Sequence, residues 1–219
     1  MMRIAISMRQ VVDPRHGERR DALASDWGSY IASIWPRVTL LPLLNQPDRV
    51  DVWADSLAID GAILSNGNDW GEAPARDETE TRLVAWCRRN ERPVLGACRG
   101  LQAINAMLGG GIHSDISTAG RHTHGGQAHP VQIIDPVFVK VAGGRSMEIN
   151  SYHDQGVLRS GLAGTLRPFA VAGNDVVEGF YHPAEPILAI QWHPERPSSA
   201  QDFSNILIRR IFEDGAFWR

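Results

Sequence analysis

The feature that most constrains the fold of this chain is the pentapeptide Gly-Ala-Cys-Arg-Gly centred on Cys98. It follows a short apolar segment and precedes a helix-like stretch, so the pattern predicts a strand, a sharp turn and a helix. A nucleophile held in such a turn needs small residues two positions before and after it, and the two glycines meet that need. The amino end of the helix would favour the thiolate form of Cys98. A buried cysteine in a glycine-flanked turn is the alternative interpretation.

A base for this cysteine is available near the end of the chain, in the segment Trp192-His193-Pro194-Glu195. Pro194 disfavours a helix at His193, so we expect extended chain there. Residues two apart in extended chain point to the same side, which lets the Glu195 carboxylate orient the His193 imidazole. Cys98, His193 and Glu195 are therefore predicted to act as nucleophile, base and orienting carboxylate. A surface histidine beside a proline turn is the alternative for this segment alone.

Three motifs together resemble the class I glutamine amidotransferase superfamily: G-x-C-x-G around Cys98, W-H-P-E at 192–195 and N-S-Y-H-D-Q at 150–155. The arginine after the nucleophile and the third motif are similar to the gamma-glutamyl hydrolase branch, which includes gamma-glutamyl-gamma-aminobutyrate hydrolases. The resemblance covers nearly the whole chain. It implies a flavodoxin-like α/β fold, in which a central, mostly parallel sheet carries helices on both faces and extra antiparallel strands follow in the C-terminal half.

The resemblance also implies an oxyanion hole, the set of donors that stabilises a charged tetrahedral intermediate. Its donors would be the backbone N–H groups of Gly67 and Arg99. The family pattern has two consecutive glycines in this loop, whereas this chain has Asn66 in the first position. A plain Asn-Gly turn is the alternative interpretation of the segment.

Substrate recognition is assigned by the same resemblance. The residues implied to hold the α-amino and α-carboxylate groups of a gamma-glutamyl moiety are Gln102, Ser151, Tyr152 and His153. Asp154 replaces a second histidine of the family pattern, so we expect the pocket on the amine side to differ. Simple solvent exposure on a helix is the alternative for Gln102.

Strand-like and helix-like segments alternate in the first half of the chain, which predicts a parallel sheet with the catalytic groups at the carboxyl ends of its strands. No linker or repeat divides the sequence, so we expect one domain over residues 1–219. The predicted strands are 3–8, 38–43, 59–64, 93–95, 131–134, 137–141, 165–171, 176–181 and 187–191, and the predicted helices are 21–35, 48–57, 78–90, 101–108 and 200–212.

Composition limits the kinds of partner. The 219 residues are 43% hydrophobic with a formal net charge of −3, and they contain neither a basic block nor an apolar run long enough to span a bilayer. We therefore expect no nucleic-acid or membrane partner and a cytoplasmic location, while homo-oligomer formation stays open. Two cysteines, Cys87 and Cys98, are too few for a disulfide framework. The expected partner is a small-molecule gamma-glutamyl conjugate, with no cofactor.

Two further clusters are weaker candidates. Imidazoles at short spacing suit zinc, but no carboxylate or cysteine spacing completes the set formed by His122, His124 and His129. We therefore predict no metal site and a loop that overhangs the active site. Arg15, Arg19 and Arg20 are typical of a solvated face, although arginine also suits an anionic substrate.

The sequence as a whole predicts a cysteine-dependent hydrolase that cleaves a gamma-glutamyl amide bond through a gamma-glutamyl thioester, releasing glutamate and an amine-bearing product. Nucleotide-linked and aminobutyrate-type conjugates both suit this reaction. Two alternatives stay open: a glutaminase subunit that delivers ammonia to a separate synthetase, and a catalytically degenerate binding module.

Overall fold

The computed structural model of the chain describes residues 1–116, 126–173 and 175–219. Its strands, numbered in chain order, are β1 (Arg3–Ser7), β2 (Arg9–Val12), β3 (Arg19–Ala22), β4 (Thr39–Leu43), β5 (Gly61–Leu64), β6 (Val94–Ala97), β7 (His129–Ile133), β8 (Ser146–Ile149), β9 (Val157–Leu158), β10 (Arg167–Ala172), β11 (Val176–Tyr181) and β12 (Ile187–Ile190). Its helices are α1 (Ser25–Ile34), α2 (Val50–Ser56), α3 (Pro74–Arg89), α4 (Arg99–Met107), α5 (Pro136–Ala142) and α6 (Gln201–Asp214), with short 3-10 turns at Pro47–Arg49 and Arg159–Gly161.

Ten of these strands form one sheet in the order β4-β1-β5-β6-β12-β11-β10-β7-β8, with β9 paired to β11. The pairs from β4 to β12 are parallel. The pairs from β12 to β8 are antiparallel. The predicted α/β class, with a parallel half and appended antiparallel strands, is confirmed. Strands β2 and β3 form a separate hairpin.

Helices cover both faces of the sheet. On one face, α1 and α6 contribute buried side chains such as Trp27, Ile31 and Leu207. On the other face, α3 and α4 contribute Leu83 and Ile104. Burying an apolar side chain of this size contributes roughly 1.5–3 kcal/mol, so this packing holds the central strands in a fixed arrangement. In the described residues, no helix combines the length and the apolar character needed to cross a membrane.

One predicted strand is wrong, because segment 137–141 lies in helix α5. The Asp135 carboxylate accepts a hydrogen bond from the N–H of Val137 (2.9 Å), and Pro136 occupies the first helical turn. Both features are standard helix-start signals, and they override the strand preference of the apolar β-branched residues. Helix α3 also begins earlier than predicted, at Pro74. Hairpin β2–β3 and strands β8 and β9 were not predicted.

The carboxyl ends of three central parallel strands meet at one edge of the sheet. Leu64 at the end of β5 pairs with Gly96 of β6, and Ala97 of β6 pairs with Ile190 at the end of β12. The segments that follow these strands therefore lie side by side, although they are far apart in sequence. This is where open α/β sheets place their binding sites.

Candidate active site

Cys98 lies between β6 and α4 in a backbone conformation that residues other than glycine seldom adopt (φ 53°, ψ −108°). Two glycines make this turn sterically feasible. A Cβ built at Gly96 would lie 2.7 Å from the backbone of Gly100, and one at Gly100 would lie 2.2 Å from the carbonyl oxygen of Leu64. Neither position therefore accepts a larger residue, and the turn holds the Cys98 sulfur at the start of α4.

His193 and Glu195 follow β12 in a turn and not in the extended chain that the sequence predicts. The turn nevertheless brings Nδ1 of His193 to 2.8 Å from Oε1 of Glu195. Asn150 fixes the backbone of His193: its Oδ1 accepts from the His193 N–H and its Nδ2 donates to the His193 carbonyl, both at 2.9 Å. Because an ionised Glu195 can only accept, Nδ1 of His193 carries the proton and Nε2 is the ring nitrogen left to act as a base.

The charge on His193 is set by its surroundings. Burial by itself would lower its pKa, but interactions with Cys98 and Glu195 outweigh burial and raise the pKa of His193 to about 9. Nε2 of His193 is buried, with no hydrogen-bond partner among the described residues, and the ring lines the same cavity as Cys98. This arrangement favours a protonated His193 imidazole near neutral pH.

Asn66 is a site residue that the sequence analysis missed. Its Nδ2 lies 2.9 Å from Oε1 of Glu195 and 2.9 Å from Nδ1 of His193. Since Nδ1 of His193 already donates to Glu195, the Asn66 amide donates to Glu195 as well, and one carboxylate oxygen accepts two hydrogen bonds. The signal in the sequence was a polar side chain where the family pattern has glycine.

The two predicted oxyanion-hole residues, Gly67 and Arg99, both line the cavity around Cys98. Gly67 has a φ of +90°, and a Cβ there would lie 3.0 Å from Cβ of Arg9, so the position requires glycine. Arg99 is the first residue of α4, and the first N–H groups of a helix have no partner within the helix. The structure therefore places both predicted donors beside the nucleophile.

Two cavities meet at Cys98 and Gly67, which line both of them. The first has a volume of about 240 Å³, and we call it the arginine cavity because Arg9 and Arg196 are the charged side chains, other than His193, among its described lining residues. The second has a volume of about 480 Å³, and we call it the acidic cavity. Its lining includes three carboxylates: Asp69, Glu72 and Asp154. A larger cavity, of about 690 Å³, lies at the amino ends of β6 and β12 and contains none of the predicted site residues.

Tyr152 lines both cavities and is half exposed. Its ring meets the His193 ring edge-on, with 5.4 Å between the ring centroids. The Arg196 guanidinium lies 4.3 Å from the centre of the Tyr152 ring, which is a cation–π distance. Tyr152 thus forms part of the wall between the two cavities and packs directly on the imidazole.

The other three predicted substrate-binding residues are buried. Gln102 lines the acidic cavity, and its Nε2 donates to the carbonyl oxygen of Gln155 (3.0 Å). Ser151 has a hydroxyl for which no hydrogen-bond partner lies among the described residues. His153 lines the acidic cavity, but its ring nitrogens face the Gln155 carbonyl and the Glu178 carboxylate.

The early arginine cluster lies on hairpin β2–β3 outside both cavities. Arg20 pairs with Asp13 (3.3 Å) and with Glu18 (2.7 Å), and Arg15 pairs with Asp13 (3.4 Å). Arg9 of the same hairpin, which the sequence analysis did not single out, is the one that reaches the arginine cavity. Of the three histidines weighed for zinc, His122 and His124 lie outside the described residues, whereas His129 is buried at the start of β7.

A network of buried ion pairs connects helix α3 to the turn at Cys98 and to the loop that carries Gly67. Arg99 forms ion pairs with Asp77 and Glu80 of α3. Arg76 pairs with Glu80 (2.9 Å) and donates to the carbonyl oxygen of Ser65 (2.8 Å). Burial lowers the pKa of Arg76 to about 10 and the pKa of Arg99 to about 9, so both stay charged at neutral pH. The network ties the start of α4 to the loop that carries Gly67.

Residues 3–195 of the chain match the Peptidase C26 family. The chain belongs to this family. This Peptidase C26 protein is 29% identical over 202 residues to the gamma-glutamyl-CDP-amidate hydrolase of Campylobacter jejuni, an alignment that covers 89% of this chain and 90% of that protein. It is 31% identical to a candidate glutamine amidotransferase of Schizosaccharomyces pombe, over 63% of this chain and 62% of that protein.

A solved structure supports the fold of this Peptidase C26 protein. The crystal structure of a candidate GMP synthase subunit from Thermoplasma acidophilum superposes with a TM-score of 0.70 at 18% identity, covering 100% of this chain and 96% of that one. The family and the Campylobacter jejuni relative support a hydrolase of the glutamine amidotransferase type. The resemblance stated from the motifs is confirmed.

Proposed function

We propose that this protein hydrolyses a gamma-glutamyl amide whose amine part carries a negative charge, with Cys98, His193 and Glu195 as its catalytic triad. The observation that carries the proposal is the position of Cys98 at the junction of two cavities of opposite charge. A gamma-glutamyl amide has a zwitterionic amino-acid head on one side of the scissile bond and the amine product on the other. Two dissimilar cavities on either side of the nucleophile suit such a substrate.

The charge of each cavity suggests which end of the substrate it takes. The carboxylates Asp69, Glu72 and Asp154 suit the α-ammonium group of the gamma-glutamyl head. Arg9 and Arg196 suit an anionic leaving group, since guanidinium pairs well with phosphate. The Campylobacter jejuni relative is named for a gamma-glutamyl-CDP-amidate, a conjugate whose amine side bears phosphate.

The reaction follows from these positions. The Cys98 thiolate attacks the γ-carbonyl carbon, and the developing oxyanion accepts hydrogen bonds from the backbone N–H groups of Gly67 and Arg99. The imidazolium of His193 donates its Nε2 proton to the departing amine as the C–N bond breaks, which leaves a gamma-glutamyl thioester. His193 then takes a proton from water, hydroxide adds to the thioester, and the C–S bond breaks to release glutamate.

A panel of gamma-glutamyl conjugates tests this proposal. The purified chain is assayed without any added protein on conjugates of aminobutyrate, a polyamine and a phosphate-bearing amine, with free glutamine as the comparison. We expect the phosphate-bearing amide to have the highest kcat/KM and glutamine the lowest, because ammonia offers little binding energy for use in the transition state.

Arginine variants identify the cavity that takes the leaving group. Arg9→Gln and Arg196→Gln should each lower kcat/KM for the phosphate-bearing amide about tenfold, the loss expected for one charge-assisted hydrogen bond of about 1.5 kcal/mol. Arg19→Gln is the matched control, because Arg19 lies on the same hairpin outside the lining of both cavities. Equal losses in all three variants would argue against the arginine cavity as the phosphate site.

The same assays distinguish the two alternatives. A protein that prefers glutamine, or that turns over only when a synthetase is added, is a glutaminase subunit. A protein that binds the conjugates without turnover is a degenerate binding module. Either result overturns the proposed hydrolase.

A further inference from the structure

We propose that His129, His153 and Glu178 form a binding site for a divalent transition-metal ion, separate from the triad and beyond the hydrolase activity proposed above. The three residues come from separate segments: β7, the connection between β8 and β9, and β11. One ligand atom from each lies within 4.8 Å of the other two. Two imidazoles and one carboxylate form a ligand set that zinc and related divalent ions take in proteins.

The distances in this cluster suit a metal ion better than direct hydrogen bonds. Nε2 of His129 lies 3.7 Å from Oε1 of Glu178, and Nε2 of His153 lies 3.9 Å from Oε2. Both exceed the usual hydrogen-bond range. Ligands bound to zinc at about 2.1 Å in a tetrahedral site lie about 3.4 Å apart, so these two separations exceed that spacing by only a few tenths of an ångström, and all three ligand atoms lie within 4.8 Å of one another.

The tautomer of the two imidazoles also fits. Nδ1 of His153 lies 3.0 Å from the carbonyl oxygen of Gln155, and Nδ1 of His129 lies 3.4 Å from that of Pro130. A carbonyl can only accept a hydrogen bond, so Nδ1 carries a proton, and in the neutral ring the lone pair is then on Nε2, on the side of Glu178. Metal-ligating histidines commonly hold their other ring nitrogen against a backbone carbonyl in this way.

A β-bulge places the carboxylate in this cluster. Ala170 of β10 pairs with Gly179 of β11, and the next residue, Val171, pairs with Val177, which leaves Glu178 as the extra residue. Bulges redirect a side chain and are often found beside functional sites. The strand is otherwise apolar around Glu178, so the bulge puts a single acidic group where it meets two imidazoles.

Burial indicates what charge the occupant carries. Glu178 is 0% exposed, and His129 and His153 are 5% and 6% exposed. A divalent cation bound here would lie against a buried carboxylate, where the attraction between opposite charges is stronger than in water. His153 also lines the acidic cavity, which gives an ion a route from solvent. The ion would join β7 and β11 to the segment that carries Tyr152.

Direct titration of the chelator-treated full chain with Co²⁺, and then with Zn²⁺ in competition, tests the site. We expect one equivalent of Co²⁺ to bind and to give ligand-field absorption without a sulfur-to-cobalt charge-transfer band, because the ligands are nitrogen and oxygen. One equivalent of Zn²⁺ should displace it and raise the melting temperature. These measurements use the parent protein and do not depend on its hydrolytic activity.

Variants locate the ion. Glu178→Gln and His129→Gln should each weaken Co²⁺ binding about 100-fold or more, whereas Cys98→Ala should leave it within about twofold of the parent. His182→Gln is the matched control, since Nε2 of His182 lies 3.7 Å from Glu185, the same separation as in the cluster, but no third ligand is within reach there among the described residues.

Several outcomes would overturn the site. They are a parent protein that binds no stoichiometric Co²⁺, a bound Co²⁺ with a sulfur charge-transfer band, loss of binding in Cys98→Ala, or unchanged binding in both ligand variants. Circular dichroism of each variant checks its fold, and the parent spectrum decides the question even where a buried variant fails to fold. Because no turnover is measured, failure here is distinguishable from failure of the proposed hydrolase.

Discussion

Two histidine–glutamate groups in this protein differ in which nitrogen of the imidazole ring faces the glutamate. In the triad, Nδ1 of His193 lies 2.8 Å from Glu195 and Nε2 lines the cavity that holds Cys98. In the cluster around Glu178, Nδ1 of His153 meets a backbone carbonyl and Nε2 faces the carboxylate. In both groups an acceptor holds Nδ1, so what lies on the Nε2 side decides whether the imidazole can act as a base toward a thiol or as a ligand toward a cation.

The two histidine–glutamate groups also differ in charge. Interactions with Cys98 and Glu195, working against burial, raise the pKa of His193 to about 9. Burial raises the pKa of Glu178 to about 8. One group is thus organised around a positively charged imidazole, and the other around a glutamate that burial makes harder to ionise.

The largest expected effect tests whether the sulfur beside His193 is the nucleophile. Cys98→Ala should lower kcat/KM at least about 10⁴-fold while leaving the fold intact, because alanine fits the turn but cannot form a thioester. Steady-state kinetics and circular dichroism measure the two effects. Activity above about one-hundredth of the parent would remove Cys98 from the triad.

The second cysteine provides the control for this assignment. Burial raises the pKa of Cys87 to about 12, so its thiol stays protonated and unreactive. An electrophilic glutamine analogue should therefore label Cys98 and spare Cys87, as mapped by mass spectrometry. Labelling mainly at Cys87 would contradict the assignment.

The next prediction tests the role of Glu195, the partner of Nδ1 of His193. Glu195→Gln should lower kcat/KM about 100-fold, less than the loss of about 10⁴-fold expected for His193→Ala, because the carboxylate orients the imidazole while the imidazole moves the proton. It should also move the alkaline limb of the pH–rate profile down from about pH 9, since Glu195 and Cys98 both raise the pKa of His193 and this variant removes the contribution of Glu195. A limb that stays in place in Glu195→Gln would show that another group titrates there.

A smaller effect tests the second donor on the Glu195 carboxylate. Asn66→Ala should lower kcat about tenfold, because the hydrogen bond to a charged group is worth about 1.5 kcal/mol. Asn66→Asp should lower it further, since a second carboxylate would face Glu195. Asn90→Ala, at the end of α3, is the remote control and should leave kcat unchanged.

The smallest expected effect is on the pH dependence of the free energy of unfolding. The pKa of His193 is about 9 in the folded protein, above the ordinary 6.5, so the folded state binds this proton more tightly. The resulting stabilisation is fully present below pH 6.5 and is lost as the pH rises through 9. Urea unfolding of the parent between these values should show a decline in unfolding free energy that is shallower in Glu195→Gln. Parallel slopes would mean that the Glu195 contact does not raise the pKa.

The sequence was sufficient to predict a structural feature wherever the residues that form it are close together along the chain. The turn at Cys98 depends on glycines two positions away on each side, and all of them fall in five residues. The contact of His193 with Glu195 was predicted correctly, although through extended chain, whereas the structure forms it through a turn. Two residues apart is close enough for either geometry.

The contacts that the sequence analysis missed depend on pairing between distant segments. Asn66 reaches Glu195 because β5 and β12 end at the same edge of the sheet, and no local pattern shows this. Glu178 meets His129 because of a bulge whose position depends on register between β10 and β11. Helix α5 is a different kind of error, since its start signals at Asp135 and Pro136 were visible and outweigh the apolar strand-like run.

Hairpin β2–β3 pairs with no other described strand, yet it supplies Arg9 and Ala22 to the wall of the arginine cavity. The proposed catalytic residues follow strands of the large sheet, whereas part of the surface facing the proposed leaving group belongs to this small hairpin. Related hydrolases can therefore diverge in the amine they release through changes in the hairpin, without disturbing the nucleophile. An inhibitor that reaches from Cys98 to Arg9 would distinguish such relatives, whereas one confined to the acidic cavity would inhibit them alike.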